Sequence, residues 1–203
     1  MRYAMVIDLR KCVGCNTCAA ACKQENGTPP GVFRTKVLQY EAGSYPVGRL
    51  RFLHVRCMHC QKAPCLESCP TGATYRREDG PVLVDDAKCI GCRYCIMACA
   101  YEARTYNAQE PGEYFEGKGL TPYEQAVQGD HPRGSIEKCT FCAERLDQGK
   151  DPACVATCPA GARIFGDLDD PNSKVSKLVA AGLAKPPLEE LDTNPLLFFI
   201  ECE

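Results

Sequence analysis

Sixteen of the chain's seventeen cysteines fall into four groups of four. Cys12, Cys15, Cys18 and Cys22 form the first, and Cys57, Cys60, Cys65 and Cys69 the second. Cys89, Cys92, Cys95 and Cys99 form the third, and Cys139, Cys142, Cys154 and Cys158 the fourth. The first and third groups read C-x2-C-x2-C-x3-C. The second and fourth stretch only the middle gap, to C-x4-C and C-x11-C, and both end in Cys-Pro. Thiolates are soft donors, and this many of them at regular spacing point to metal chemistry.

Three chemistries compete for such a cysteine count. A disulfide scaffold suits a short secreted chain, but the first of these cysteines is already residue 12, which argues against a cleaved leader. Zinc sites use two C-x2-C pairs set well apart, or one such pair with histidines, and do not need a third cysteine two residues after the second. Three thiols within seven residues suit one face of an iron–sulfur cubane, and the compact run is the one bacterial ferredoxins use to hold [4Fe–4S] clusters. Four complete ligand sets therefore predict four [4Fe–4S] clusters. A chain so filled with redox centres reads as an electron wire.

Composition agrees. The 203 residues allow one or two domains. The hydrophobic share of 45% is inflated by cysteine, and there is no Trp, so the clusters are expected to act as much of the core and folding to be coupled to their insertion. A formal charge of −2 argues against a nucleic-acid partner. No apolar run approaches the ~20 residues of a membrane span.

The elements that must position these thiols repeat with them. Cys12-Val13-Gly14-Cys15 matches Cys89-Ile90-Gly91-Cys92, and Cys69-Pro70-Thr71-Gly72-Ala73 matches Cys158-Pro159-Ala160-Gly161-Ala162. Two short strands around Asp79-Gly80 predict a hairpin over residues 73–84. Met1 to Ile7 alternates weakly and reads as an edge strand. Ala19 to Lys23 and Ile96 to Ala100 suit short helices. The fold class expected is α+β with little regular structure and many turns. Residues 107–135 read as a surface excursion rich in Gly, Pro and acids. Residues 171–203 read as a C-terminal tail with a weak helix, Val175 to Leu183, and an apolar run, Leu196 to Ile200. That run must be covered, either as an edge strand of this chain or by a partner.

In two-cluster ferredoxins the fourth cysteine of each run ligates the other cluster. Groups two and three are neighbours joined by the hairpin, so they form one ferredoxin-like unit, residues 51–106. Groups one and four pair across the chain as an outer unit, residues 1–50 and 136–170, into which the first is inserted. The expected sets are Cys12, Cys15, Cys18 with Cys158; Cys139, Cys142, Cys154 with Cys22; Cys57, Cys60, Cys65 with Cys99; and Cys89, Cys92, Cys95 with Cys69. The alternative, each group holding its own cluster, stays open.

The compact–stretched alternation, with Cys-Pro-x-Gly-Ala after groups two and four, resembles the four-cluster electron-transfer subunit of the dimethyl sulfoxide reductase family. Cys139-Thr140-Phe141-Cys142-Ala143-Glu144-Arg145-Leu146, followed by Gly149 and Pro152-Ala153-Cys154, is the most telling stretch. Polysulfide and thiosulfate reductase iron–sulfur subunits are the nearest in pattern. The resemblance covers about residues 3 to 170 and implies swapped ligation as above. It also implies a molybdenum or tungsten bis-pterin catalytic subunit on one side and a quinone-linked integral-membrane subunit on the other, in a respiratory oxidoreductase. A free-standing soluble polyferredoxin is the alternative. Ala100 departs from the family, which usually has Pro after that cysteine.

No phosphate loop, dinucleotide fingerprint, nucleophile triad or pterin signature is present, so the chain is read as non-catalytic. His59, inside Cys57-Met58-His59-Cys60, is expected beside the cluster or on the surface rather than as a ligand. His54 and His131 have no motif around them. Gly14 and Gly91 are expected to bring backbone N–H groups near sulfur or to make plain left-handed turns. Lys11, Lys88 and Lys138 each precede a first cysteine and either offset cluster charge or are solvated. Cys202 lies outside every set, and Asp167, Asp169 and Asp170 read as a solvated turn. Thiolates must meet iron before an oxidising compartment. The location expected is therefore the outer face of the cytoplasmic membrane, reached folded with the partner, the alternative being cytoplasmic.

Overall fold

The computed structural model describes residues 1–108, 113–127 and 131–202. Strand β1 (Tyr3–Asp8) leads to helix α1 (Thr17–Asn26) and then to a long hairpin, β2 (Thr35–Ala42) and β3 (Arg49–Arg56). Short elements follow: α2 (Pro64–Glu67), β4 (Thr74–Arg76), β5 (Val82–Val84), α3 (Tyr94–Met97) and β6 (Thr105–Tyr106). The last part holds α4 (Pro122–Val127), β7 (Ile136–Glu137), α5 (Ala143–Asp147), α6 (Ala153–Ala156), β8 (Arg163–Asp167), α7 (Lys174–Ala180) and β9 (Leu197–Ile200). This is the small, mixed α+β structure expected.

β1 is a central strand, not the edge strand read from the sequence. It pairs antiparallel with β8, Tyr3 opposite Asp167 and Ile7 opposite Arg163, and parallel with β9, Met5 opposite Leu197 and Asp8 opposite Ile200. Ala4, Met5, Val6 and Ile7 are all fully buried. A strand covered on both faces reads as a continuous apolar run, which is why its alternation looked weak.

One local architecture occurs twice. In the middle of the chain β4 follows Cys69 and β5 precedes Cys89; the two pair antiparallel, and α2, carrying Cys65, packs on α3, carrying Cys95. At the ends of the chain β8 follows Cys158 and β1 precedes Cys12; these also pair antiparallel, and α6, carrying Cys154, packs on α1, carrying Cys18 and Cys22. The β4–β5 link turns at Gly80, whose φ is +107°; the Arg77 carbonyl accepts the Gly80 N–H, and the Arg77 N–H donates to Pro81 O.

Within residues 171–202, α7 packs on β8 and β1, and β9 joins their sheet. α7 is capped by Ser173, whose Oγ accepts the Ser176 N–H at 3.0 Å, and packs Val175 against β8 and β1. Leu196, Leu197, Phe198, Phe199 and Ile200 are 0–7% exposed. The Leu196 N–H donates to Met58 O, and Lys185 bridges Phe199 on the far side of β9. The apolar run is thus covered by this chain itself, and the reading in which a partner covers it is overturned.

The hairpin β2–β3 has no counterpart in the repeat. Its register runs from Thr35 opposite Arg56 to Ala42 opposite Arg49. One face turns Val37, Phe52 and His54 inward, while Leu38, Tyr40 and Leu53 on the other are about half exposed. Within 107–135, residues 109–112 and 128–130 lie outside the described residues. The rest docks on the end of α1: Tyr114 Oη donates to Thr28 O at 2.8 Å, and Tyr123 Oη to Gln24 O. Thr121 and Glu124 cap α4 reciprocally, each side chain accepting the other's N–H. Among the described residues no helix is long and apolar enough to cross a membrane.

Candidate functional site

Each cysteine group begins with the same turn. The residue before the second cysteine has positive φ in all four: Gly14 (+66°), His59 (+48°), Gly91 (+65°) and Phe141 (+55°). The turn aims an amide back at the first thiol, as the Phe141 N–H does toward Cys139 Sγ at 3.4 Å. The compact groups use glycine, and space demands it: a Cβ on Gly14 would lie 2.1 Å from the Phe52 ring, and one on Gly91 2.3 Å from Gly134 O. The stretched groups place bulky residues in this conformation, which costs about 1–3 kcal/mol each. Their side chains must therefore be used.

Three cavities collect twelve of the sixteen thiols. Cys12, Cys15, Cys18 and Cys158 line one; Cys57, Cys60, Cys65 and Cys99 a second; Cys22, Cys139, Cys142 and Cys154 a third. Each draws three cysteines from one group and one from another. The remaining four are not part of these cavities. Cys95 is buried and near enough to interact with Cys89 and Cys65, Cys92 is exposed, and Cys69 accepts the Thr74 N–H at 3.4 Å. No three His, Cys, Asp or Glu side chains among the described residues converge on a point that would hold one metal ion. Three thiols of one group with a fourth from another, set around a cavity, suit a polynuclear cluster better than zinc.

Electrostatics separate the thiols. Burial pushes Cys60 up to about 12 and Cys142 up to about 11, and raises Cys22 further. Cys139 is also fully buried, which alone would raise it, yet Arg56, the Phe141 N–H and Lys138 hold it below the usual thiol value. Burial of Cys69 is likewise outweighed, by hydrogen bonds from Thr74 and Thr71, leaving it at about 7. Loading metal must therefore displace protons from the buried thiols.

Buried cations sit against the sulfurs. Arg56 Nη2 donates to Cys139 Sγ at 2.8 Å, Arg104 Nη2 to Cys65 Sγ at 3.0 Å, and Arg163 Nη2 to Cys18 Sγ at 3.2 Å. Arg163 also meets His54 Nδ1 at 3.0 Å. Arginine only donates, so Nδ1 accepts and the His54 proton sits on Nε2, 3.3 Å from Cys12 Sγ. His59 is fully buried, not on the surface: its Nδ1 accepts the Val82 N–H at 3.0 Å, which leaves Nε2–H without a partner among the described residues. Arg56 Nε and Arg163 Nη1 are also buried without partners there. Orphan donors beside thiol-lined cavities fit a group rich in acceptor sulfur.

The arginines were missed in the sequence, although a signal exists. Arg104 and Arg163 each stand five residues after the last cysteine of a group, both in Ala-Arg, and Arg56 directly precedes Cys57. Of the three lysines singled out, Lys11 is exposed, Lys88 is exposed and pairs with Asp85, and only Lys138 is buried. Cys202 is half-buried and outside the cavities above. Asp167 and Asp169 bind the backbone and side chain of Arg2 at the end of β8.

Comparison with known proteins follows the same lines. One 4Fe-4S dicluster domain family matches residues 49–113 and 110–168, and a second 4Fe-4S dicluster domain family matches residues 11–73. A Halobacterium salinarum protein, provisionally named as a dimethyl sulfoxide reductase iron–sulfur subunit, is 44% identical over 99% of this chain and 79% of its own length. The arsenate respiratory reductase iron–sulfur subunit of a Shewanella species is 39% identical over 98% of this chain and 96% of its own. A polysulfide reductase chain of Wolinella succinogenes is 38% identical over 98% of this chain and 94% of its own.

Proposed function

This chain belongs to the iron–sulfur subunits of the dimethyl sulfoxide reductase family of molybdoenzymes, and from that premise we propose that it holds four [4Fe–4S] clusters and relays electrons between a molybdenum or tungsten bis-pterin catalytic subunit and a quinone-linked membrane subunit. The observation that carries the reading is the composition of the three cavities, each lined by three thiols of one group and one of another. Swapped ligation and two units, one inserted in the other, would produce that composition. The repeated strand–group–helix architecture supports the same arrangement and extends it to the fourth set, Cys89, Cys92, Cys95 with Cys69.

When bound, each cluster supplies a site that takes up and gives back one electron. The residues of this chain do the rest. The thiols bind, the turns at Gly14, His59, Gly91 and Phe141 orient them, and Met58, Val82, Val37 and Phe141 help keep water from the sulfurs. Arg56, Arg104, Arg163 and Lys138 offset the negative charge that the ligand sets bring into the interior. Metal analysis tests the count: about sixteen irons per chain are expected from four cubanes, and about four zincs or half the iron would refute it. Isolation of the native complex tests the relay. A molybdenum- or tungsten-containing chain should co-purify, whereas recovery of this chain alone would favour a free carrier.

The proposed location is the outer face of the cytoplasmic membrane, with the clusters inserted in the cytosol and the chain carried out folded beside its catalytic partner, since exposed thiolates would be oxidised outside. Deleting the export signal of that partner should strand this chain in the cytosol. Export regardless would sink the idea.

A further inference from the structure

The two stretched groups meet face to face through equivalent residues. Cys57-Met58-His59-Cys60 and Cys139-Thr140-Phe141-Cys142 align position by position, and so do the residues before them, Arg56 and Lys138. His59 and Phe141 share the left-handed backbone and stack on one another, ring centres 3.8 Å apart and planes 24° from parallel. Both rings are fully buried. The contact is therefore a local pseudo-twofold junction between the second cavity (Cys57, Cys60, Cys65, Cys99) and the third (Cys22, Cys139, Cys142, Cys154).

The cations beside this stack cross it. Arg56 adjoins Cys57 in the chain, yet its guanidinium reaches the other group: Nη2 to Cys139 Sγ at 2.8 Å, Nη1 to Cys154 Sγ at 3.6 Å, and its carbon 5.6 Å from the Phe141 ring centre. Lys138 adjoins Cys139, yet its ammonium points back into the hairpin β4–β5. It donates to Val82 O, the same residue whose N–H binds His59, and to its neighbour Cys139 O at 2.8 Å. Val82 lines the second cavity, so the ammonium lies against its wall. Both cations are 1–2% exposed. Nothing in a ferredoxin-like unit on its own requires this exchange.

We propose that Arg56 and Lys138 are crossed positioning cations, each carried by one unit and setting the reduction potential of the cluster held by the other. Arg56 acts on the set Cys22, Cys139, Cys142 and Cys154, and Lys138 on the set Cys57, Cys60, Cys65 and Cys99. The physical reason is charge. Taking up an electron adds one negative charge to the bound group, and a buried cation or N–H donor at its sulfur favours that state and raises the potential. Because each cation comes from the opposite unit, neither potential is set until the two units have docked. The inference rests on the ligand sets proposed above.

The test is a reductive titration of the intact complex followed by spectroscopy that resolves single clusters. Cys60→Ser and Cys142→Ser first assign one signal to each set, and iron analysis fixes the number of clusters. If those assignments fail, the ligand sets are wrong. If they hold, the cation variants judge this inference alone. Arg56→Met should shift the potential of the Cys142 cluster downward and leave the Cys60 cluster less affected, and Lys138→Met should do the reverse. A shift confined to the cluster next in sequence, an equal shift in both, or none would overturn the crossing. Should either methionine variant fail to load iron, Arg56→Lys and Lys138→Gln decide on the same criterion: the first keeps the charge but loses the paired N–H contacts, the second keeps a donor but loses the charge. A purely structural role would change iron content without moving one potential selectively.

Discussion

Removing β9 offers the sharpest check on the outer sheet. Leu197 is fully buried opposite Met5, and its replacement by Ala should cost about 2–5 kcal/mol in lost transfer energy and cavity. For a chain of this size that lowers the melting temperature by about 4–20 °C. Truncation after Asn194 goes further. It deletes five apolar side chains that are 0–7% exposed, each worth about 1.5–3 kcal/mol when buried, a gross loss of about 8–15 kcal/mol. That equals the entire stability of a typical domain, so the outer sheet should not form. Thr193 and Asn194, whose carbonyls accept the Lys62 and Gln61 N–H groups, remain, so the backbone around the Cys57 group loses only the bond from the Leu196 N–H to Met58 O. Iron analysis and cluster-resolved spectroscopy on the truncated chain should show the Cys57 and Cys89 sets retained and the Cys12 and Cys139 sets lost. Full iron content with an unchanged melting temperature would refute the reasoning and return the run to the role of a docking segment.

Cys99→Ser should perturb the cluster held by Cys57, Cys60 and Cys65 rather than that held by Cys89, Cys92 and Cys95; loss of the latter's signal would show that each group holds its own cluster. Gly91→Ala adds about 1–3 kcal/mol of left-handed strain and about 1–3 kcal/mol of overlap with Gly134 O. Gly161→Ala, whose Cβ would meet open space, carries only the first cost, so equal losses in melting temperature would contradict the close approach. His131 lies between two acceptors, Glu137 at 2.5 Å and Asn26 O at 2.6 Å, so both ring nitrogens must donate. Burial opposes that charge, but Glu137 and Asn26 hold His131 above its usual 6.5, while Glu137, despite burial, is held at about 2 by His131 and Arg34. The stability from His131 is present below pH 6.5 and is lost as pH rises through its raised value; that from Glu137 is present above 4.5 and is lost as pH falls toward 2. The destabilisation by His131→Asn should thus peak between about pH 4.5 and 6.5 and shrink on the alkaline side, and a difference in melting temperature that stays flat from pH 5 to 9 would disprove the charged pair.

The parts legible in the sequence are those whose signal is local. Cysteine spacing marks every turn that carries a thiol, Asp79-Gly80 marks the hairpin β4–β5, and Ala19 to Lys23 falls inside α1. What was hidden depends on partners far along the chain. Ala4 to Ile7 is apolar throughout because the side chains on both faces of β1 are buried, and neither the sheet neighbours β8 and β9 nor the elements packed on those faces are visible from the first eight residues. Leu196 to Ile200 is compatible with an edge strand or a docking segment until its register with Met5 to Asp8 is known. The hairpin β2–β3 escaped notice because its outward Leu38, Tyr40 and Leu53 spoil the polar–apolar alternation that marks a half-buried strand. Arg56 looks like any surface arginine of a strand until Cys139 arrives more than eighty residues later.

The pairing of β1 with β8 has a consequence for how the chain is made. Between the second and third cysteine groups the equivalent strands, β4 and β5, are joined by residues 77–81, from Arg76 to its partner Val82. For β1 and β8 the link from Ile7 to Arg163 is residues 8–162, about thirty times longer. Five doublings of loop length add about 3 kcal/mol to the entropy of closure. During translation the Cys57 and Cys89 groups emerge together and can close at once. The first cysteine group, although synthesised before the others, must wait for β8, and the finished sheet waits for β9. On the ligand sets proposed above, the thiols of the first group therefore wait for Cys158 while more than 130 residues beyond Cys22 are made. Iron delivery to the first and fourth groups should accordingly come later than delivery to the second and third, which leaves their thiols open to oxidation for longer.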